Sequence, residues 1–433
     1  MPEISVGIIH ANKIYFSLDG KFNDKNGLEI KPGKHCLAVA EGIITIDGKV
    51  INTLPNLSPK NDKCRFTLHD VVIGIGFHWE QKEDQLFKGA LSFVLEGGKL
   101  WAVNTLSIED YLFCVIASEM KSTSSLELLK AHAVVSRSWL MAQIEAKKKP
   151  KTQYRSASIN AGTLIKWYDR EDHTLFDVCA DDHCQRYQGL TRANNKSVKR
   201  AIEETAGQLL VYEGEICDAR FSKCCGGMTE VFETCWQPTH IDYLQSFVDN
   251  TVRPEGTHDW DLTTEEGAKN WITTSPEAYC DTTDAEILKQ VLNDYDVKTT
   301  PKMYRWVVEY SQQEISDLIE EKSALGIGIL QDMEVVERGP SGRIVQLKLI
   351  GSNKSVTIGK ELEIRRTLSK SHLQSSAFVV DRNLQGKFII RGAGWGHGVG
   401  MCQVGAAVMA HRQFSYKGIL YHYFRRATIE KRW

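Results

Sequence analysis

No run of apolar residues in this 433-residue chain is long enough to cross a membrane. The N-terminus, MPEISVGIIHANKIYFSLDG, lacks a basic start, an apolar core and a small-residue cleavage site. It reads as a β-strand from its first residues, and no export signal is expected in it. Charge of one sign is also missing: 53 Lys and Arg against 55 Asp and Glu leave a net charge of −2. That excludes a nucleic-acid binder relying on bulk phosphate attraction. The basic end YFRRATIEKRW reads as a solvated tail. Internal repeats and low-complexity tracts are absent. With 11 cysteines, an odd number, a fully paired disulfide framework is excluded, and thiols or metal ligands are expected instead. A hydrophobic fraction of 42% and a charged fraction of 25% then fit a soluble globular protein of two or three domains.

What is present divides into four segments. IYFSLDGKF, IITIDGKVI and LSFVLEGGKLWAV each set Asp-Gly or Gly-Gly between β-formers, a hairpin signal. Residues 1–100 therefore read as a β-rich N-terminal region. At Ser107 the pattern turns helical. SIEDYLFCVIASEM opens on a capping serine with Asp110 three positions on, and Ile108, Leu112, Val115 and Ile116 keep helical spacing. After STSS, a second helix carries an apolar stripe of Leu126, Leu129, Ala133, Leu140 and Ile144. It ends in the basic run Lys147 to Lys149, which suits a helix C-terminus. The helices and the mixed, cysteine-rich stretch after them make up 101–253, which the family resemblance given below makes the first part of a catalytic region. Residues 254–370 read as an inserted α/β unit. It holds the helices TDAEILKQVLNDY, SQQEISDLIEEKSAL and GKELEIRRTL and a hairpin turning at GPSG, and it shows no evident chemistry. Residues 371–433 carry the run GAGWGHGVG and two further helices. The fold class expected is α+β: a β-rich start, a helical catalytic segment and mixed sheet, and the insertion.

Glu119 stands three residues after Ile116 and four after Val115, on the apolar face near the helix C-terminus. A carboxyl group so placed can serve as a general acid. The alternative is an inert glutamate at a frayed helix end. Arg137 lies within the apolar stripe of the second helix, where a guanidinium needs a carboxylate or an anionic ligand. It can equally be a structural ion pair with Glu109 or Asp110, or a snorkelling side chain. In HTLFDVCADDHCQRYQG, His173, Cys179, His183 and Cys184 are residue types that bind zinc. The spacing C-x4-C is looser than the common C-x2-C, and buried reduced cysteines are the alternative. Cys224 and Cys225, in FSKCCGGMTE, are candidate further ligands or small core residues. GAGWGHGVG has a glycine at every second position. No G-x-G-x-x-G can be placed in it and no P-loop lysine follows. If extended, it presents Trp395 and His397 on one face and bare backbone on the other, as a ligand-binding wall or as a packed central strand.

The segments IEDYLFCVIASEM, LKAHAVVSRSW, DVCADDHCQRYQG, CCGGMTE and GWGHGVGMCQVGA, in this order, resemble the SpoIID/LytB family of stage II sporulation protein D and amidase-enhancer proteins. The resemblance covers about 101–250 and 371–433. It implies a lytic transglycosylase acting on peptidoglycan glycan strands stripped of stem peptides. It makes Glu119 the catalytic acid, with Arg137 beside it. It implies a zinc near the active site, held by His173, Cys179 and Cys184. Gly394, Trp395, Gly396, His397 and Gln403 become the expected substrate-binding residues. Two features depart from the pattern: Lys121 replaces the usual proline after EM, and the insertion precedes the final motif. The competing expectations are a non-catalytic glycan binder that stimulates a cell-wall amidase, and a zinc hydrolase. The substrate implies a cell-envelope or periplasmic location, whereas the unpaired cysteines also suit a reducing compartment. No nucleic acid and no membrane span are expected.

Overall fold

In the computed structural model, two of the three expected hairpins close and one does not. Residues described are all except 1, 75–79, 122–123, 149–156, 161, 168–172, 182–183, 192, 194 and 293–301. Strand Ile43–Ile46 pairs with Lys49–Val50 across Asp47-Gly48, and Ala90–Glu96 with Lys99–Ser107 across Gly97-Gly98. Asp19-Gly20 behaves differently. The strand before it, Lys13–Asp19, pairs with Gly33–Ala40 and Arg65–Ile73, whereas Phe22–Asp24 pairs with Asn56–Pro59 in another sheet. The turn hands the chain from one sheet to the other. Turn chemistry is local, but the choice of partner strand depends on burial, and Phe22 is buried only after the crossing.

The chain is α+β and falls into two compact units. The first comprises residues 1–122 and 170–207 together with Trp433. It contains two six-stranded sheets. Phe16 from one and Phe93 from the other meet with ring centroids 5.2 Å apart, and the alternating burial of Lys13–Asp19 shows which face turns to this core. Strand Lys99–Ser107 runs directly into helix Ile108–Glu119. Ser107 Oγ accepts the Asp110 amide at 3.2 Å, the cap read from the sequence. Ile108, Leu112, Val115 and Ile116 are all buried.

The second unit comprises 123–169 and 208–432. Its long helix, Leu126–Lys148, is buried on every side from Ala131 to Leu140, which is more than the expected stripe. The polar residues inside that stretch are therefore bonded internally: Ser138 Oγ donates to Val134 O at 2.7 Å and accepts the Leu210 amide at 2.8 Å. Lys149, counted in the basic run, lies outside the described residues. The stretch 254–370, expected as an insertion, shares sheet and core with the C-terminal segment. Strand Arg305–Tyr310 pairs antiparallel with Phe388–Ala393. Ile315, Leu318 and Leu347 sit in one apolar cluster with Phe378, Phe388 and Ile390. The strand that leads into GAGWGHGVG is thus held by residues on both sides of the expected boundary at 370.

Candidate functional site

In the first unit, Glu119 is the last residue of helix Ile108–Glu119 and is half-buried. Met120 closes the helix, its amide donating to Ile116 O at 2.9 Å. One turn back, Ser118 Oγ donates to Cys114 O at 2.8 Å. The carboxylate is neither sunk in the core nor at a frayed end.

The His/Cys loop is fastened to the same unit along its length. Asp177 Oδ2 accepts the Ser5 amide at 2.9 Å and the Ser5 hydroxyl at 2.7 Å. Strand Val178–Cys179 then pairs in parallel with Glu3–Ala11, Cys179 opposite Gly7. His173 is stacked obliquely on Phe176 at 4.8 Å. Further on, Tyr187 stacks on Tyr111 at 5.2 Å and donates to Asn104 Oδ1 at 2.6 Å. Tyr111 OH in turn faces Gln185 Oε1 at 3.4 Å. Burial raises the Tyr111 phenol far above its ordinary value, and the charges of Cys184, Cys179 and Glu119 push the same way.

The donor set fits a small tetrahedral cation. The sulfurs of Cys179 and Cys184 and a ring nitrogen of His173 lie within 4.8 Å of one another. Cys184 Sγ is 3.5 Å from His173 Nε2, and the S···N edge of a tetrahedron with zinc bond lengths is about 3.5 Å. His183, the other candidate of this loop, lies outside the described residues.

The glycine-rich run, in the second unit, is not an extended strand. The strand ends at Ala393, and Gly394, Gly396, Gly398 and Gly400 all have positive φ, between 73° and 89°. The run is a chain of left-handed kinks, which explains glycine at every second position. The close backbone expected beside it is that of 220–226. A Cβ on Gly394 would lie 2.7 Å from Cys224 O, and Trp395 exchanges both backbone hydrogen bonds with Cys224. Trp395 is half-buried. His397, expected to face a groove, is half-buried like Trp395. Its Nδ1 accepts the Val399 amide at 3.0 Å, and its ring meets Trp236 edge-on at 4.9 Å. Burial and the nearby charges of Arg220 and Arg343 hold it well below its ordinary value, so the ring is neutral.

Two other expected residues are internal. Arg137, with 0% exposure, donates from Nη1 to Gln208 O at 3.2 Å. Gln403 is 1% exposed, and its Nε2 lies 2.8 Å from Nε2 of His132. Desolvation, helped by the Lys223 charge, lowers His132 to about 3 and keeps it neutral. Gln403 thus ties two helices together and does not line a surface, a correction to its expected place among the sugar-binding groups.

Arg343 carries no signal in the sequence. It lies just past the GPSG turn, in the stretch where no chemistry was expected, and is 0% exposed. It donates to Cys225 O at 3.2 and 3.3 Å and to Ser341 Oγ at 2.8 Å. Ser341 Oγ donates to the buried carboxylate of Glu230 at 2.6 Å. A turn serine, a turn arginine and a distant glutamate thereby hold the run in its kinked shape.

A family model described as stage II sporulation protein matches residues 96–212, the stretch that carries Glu119 and the His/Cys loop. Three relatives align over most of the chain. An uncharacterized protein of Brachyspira hyodysenteriae is 28% identical over 79% of this chain and 72% of its own length. An amidase enhancer of Bacillus subtilis is 26% identical over 73% of this chain. A stage II sporulation protein D of Bacillus amyloliquefaciens is 24% identical over 76% of each. The chain is similar to the SpoIID/LytB family. This similarity supports a cell-wall-related role. This chain spans only 39% of the amidase enhancer's length. A second model, a domain of unknown function designated DUF8618, matches residues 230–400 and ends on the last glycine of the run. Among the described residues, no helix is long and apolar enough to cross a membrane.

Proposed function

We propose that this chain, like the SpoIID/LytB family it resembles, is a lytic transglycosylase that cleaves peptidoglycan glycan strands beside N-acetylmuramic acid, with Glu119 as its acid and base. What supports the reading is the position of Glu119, half-buried as the last residue of helix Ile108–Glu119, within the stretch matched by the stage II sporulation protein model. Glu119 gives its proton to the glycosidic oxygen as the bond to the anomeric carbon breaks. The sugar's own N-acetyl group stabilises the positive charge at that carbon, so a second carboxylate is unnecessary. Glu119, now ionised, takes the proton of the sugar's 6-hydroxyl, whose oxygen closes on the anomeric carbon to leave a 1,6-anhydro end. Attack from within the same sugar benefits from proximity. His173, Cys179 and Cys184 are the residues that would hold zinc, which when bound supplies a cross-link that fixes the loop. Trp395 offers a flat apolar face to a sugar ring. The reading places the protein's work in the cell envelope.

The deciding experiment incubates the chain with purified glycan strands, with and without stem peptides, and analyses the ends by mass. Anhydro ends are expected, and Glu119→Gln should lower their formation by about 10²–10⁴-fold with folding unchanged. Hydrolysed ends would indicate water as the nucleophile. Binding without cleavage would favour the glycan-binding enhancer role that the name of one relative suggests. Near-normal cleavage by folded Glu119→Gln would remove Glu119 from the mechanism.

A further inference from the structure

Four buried donors far apart in the sequence converge in the second unit. The sulfurs of Cys225, Cys280 and Cys402 and a carboxylate oxygen of Asp249 all lie within 4.8 Å of one another. Cys225 Sγ is 3.5 Å from Cys280 Sγ and 3.4 Å from Asp249 Oδ2. The edges of a tetrahedron built with zinc–sulfur and zinc–oxygen bond lengths are about 3.8 Å for S···S and about 3.5 Å for S···O. The cluster is therefore sized for a four-coordinate cation, and Cys225 and Cys280 are not joined by a disulfide.

Each donor is held in place by its surroundings. Cys402 caps helix Gln403–His411, and its sulfur accepts the amides of Gly405 at 3.4 Å and Cys225 at 3.2 Å, as a ligating thiolate does. The other oxygen of Asp249, Oδ1, accepts from Tyr423 OH at 2.8 Å and lies 3.1 Å from His422 Nε2. This is the outer-shell arrangement that orients a ligating carboxylate and leaves Oδ2 turned to the sulfurs. A Cβ on Gly405 would come within 2.4 Å of that same Oδ2, so only glycine leaves it room.

We propose that Cys225, Asp249, Cys280 and Cys402 form a second, structural zinc site, separate from the His173 loop. Three thiolates and one carboxylate make a soft, closed, four-ligand set that suits zinc and leaves no position for a substrate. On binding, the three thiols release their protons to solvent. The site joins residue 225, in the segment bonded to Trp395, with residue 402, two positions beyond the last glycine of the run. It would thus lock both ends of the kinked backbone.

The test uses the full chain, purified with reductant and without chelator, carrying Cys179→Ser and Cys184→Ser to disable the loop site. That variant should retain about one zinc per folded chain. Cobalt in place of zinc should give thiolate charge-transfer absorption and the intense visible bands of a tetrahedral site. Adding Cys402→Ser or Asp249→Asn should abolish binding, whereas adding Cys224→Ser, a neighbouring buried thiol outside the set, should not. A folded double variant without zinc, an octahedral cobalt spectrum, or zinc retained after Cys402→Ser would each overturn the proposal. A Cys225–Cys280 disulfide in the peptide map of the protein as purified would do so as well. Should Cys402→Ser fail to fold, the zinc content and cobalt spectrum of the double variant decide.

Discussion

Arg343 holds Gly396 from the side: its Nε and Nη2 both donate to the Gly396 carbonyl, at 3.2 and 3.1 Å. The same guanidinium lies where a side chain on Gly398 would have to be, 2.4 Å from that position. The glycine-rich run is kinked around an arginine supplied by a hairpin turn more than fifty residues earlier.

Removing that arginine should be costly. Arg343→Ala strands the carbonyls of Gly396 and Cys225 and takes the cation from the Glu230–Ser341 network. A loss of about 3 kcal/mol or more is expected in urea unfolding. Arg343→Lys should recover little of it, because one ammonium cannot reproduce the planar fork. A change below about 1 kcal/mol for Arg343→Ala would show that the run holds its shape without it.

The His/Cys loop should answer to metal. Cys184→Ser is expected to lower the zinc content by about one per chain relative to the unaltered protein. It should also lower the melting temperature, because metal binding here is part of folding energy. Unaltered zinc content in folded Cys184→Ser would mean that the loop cysteines are not ligands.

His132 should write itself into the pH dependence of stability. Its folded value, about 3, lies below the unfolded value of about 6.5. The unfolded chain then binds the proton first as pH falls. The contribution of His132 is complete above pH 6.5 and is lost progressively down towards pH 3. The buried carboxyl of Glu230 acts in the opposite sense, since burial raises it. Comparing variants isolates the histidine: His132→Gln should flatten the slope of unfolding free energy against pH between about 4 and 6. An unchanged slope would contradict a buried neutral imidazole.

Trp395 and His397 should separate in their effects. His397→Ala leaves the Val399 amide without its acceptor and is expected to cost about 1–3 kcal/mol in stability. Trp395→Ala should cost less stability and mainly weaken glycan binding, raising KM with little change in kcat. The opposite pattern, with a binding defect in His397→Ala at full stability, would put the histidine on the ligand side.

Signals that act within a few residues were legible in the sequence. Ser107 and Asp110 start their helix because a hydroxyl meets an amide three positions on. Asp47-Gly48 and Gly97-Gly98 close hairpins because both positions of each turn tolerate positive φ. Spacing places Glu119 near a helix end and gathers His173, Cys179, His183 and Cys184 as candidates, and the family resemblance reduces these to His173, Cys179 and Cys184. Tertiary structure decided everything that depends on which distant surface is buried. Asp19-Gly20 carries a hairpin signature but crosses between sheets. Gln403, expected among the sugar-binding residues, is enclosed because other elements cover its helix. Cys225, Asp249, Cys280 and Cys402 span 178 positions of the chain and show no ligand spacing, so only folding brings them together. The reason is range: a cap or a turn is fixed by the few atoms beside it, whereas burial and convergence are fixed by the closing of the whole core.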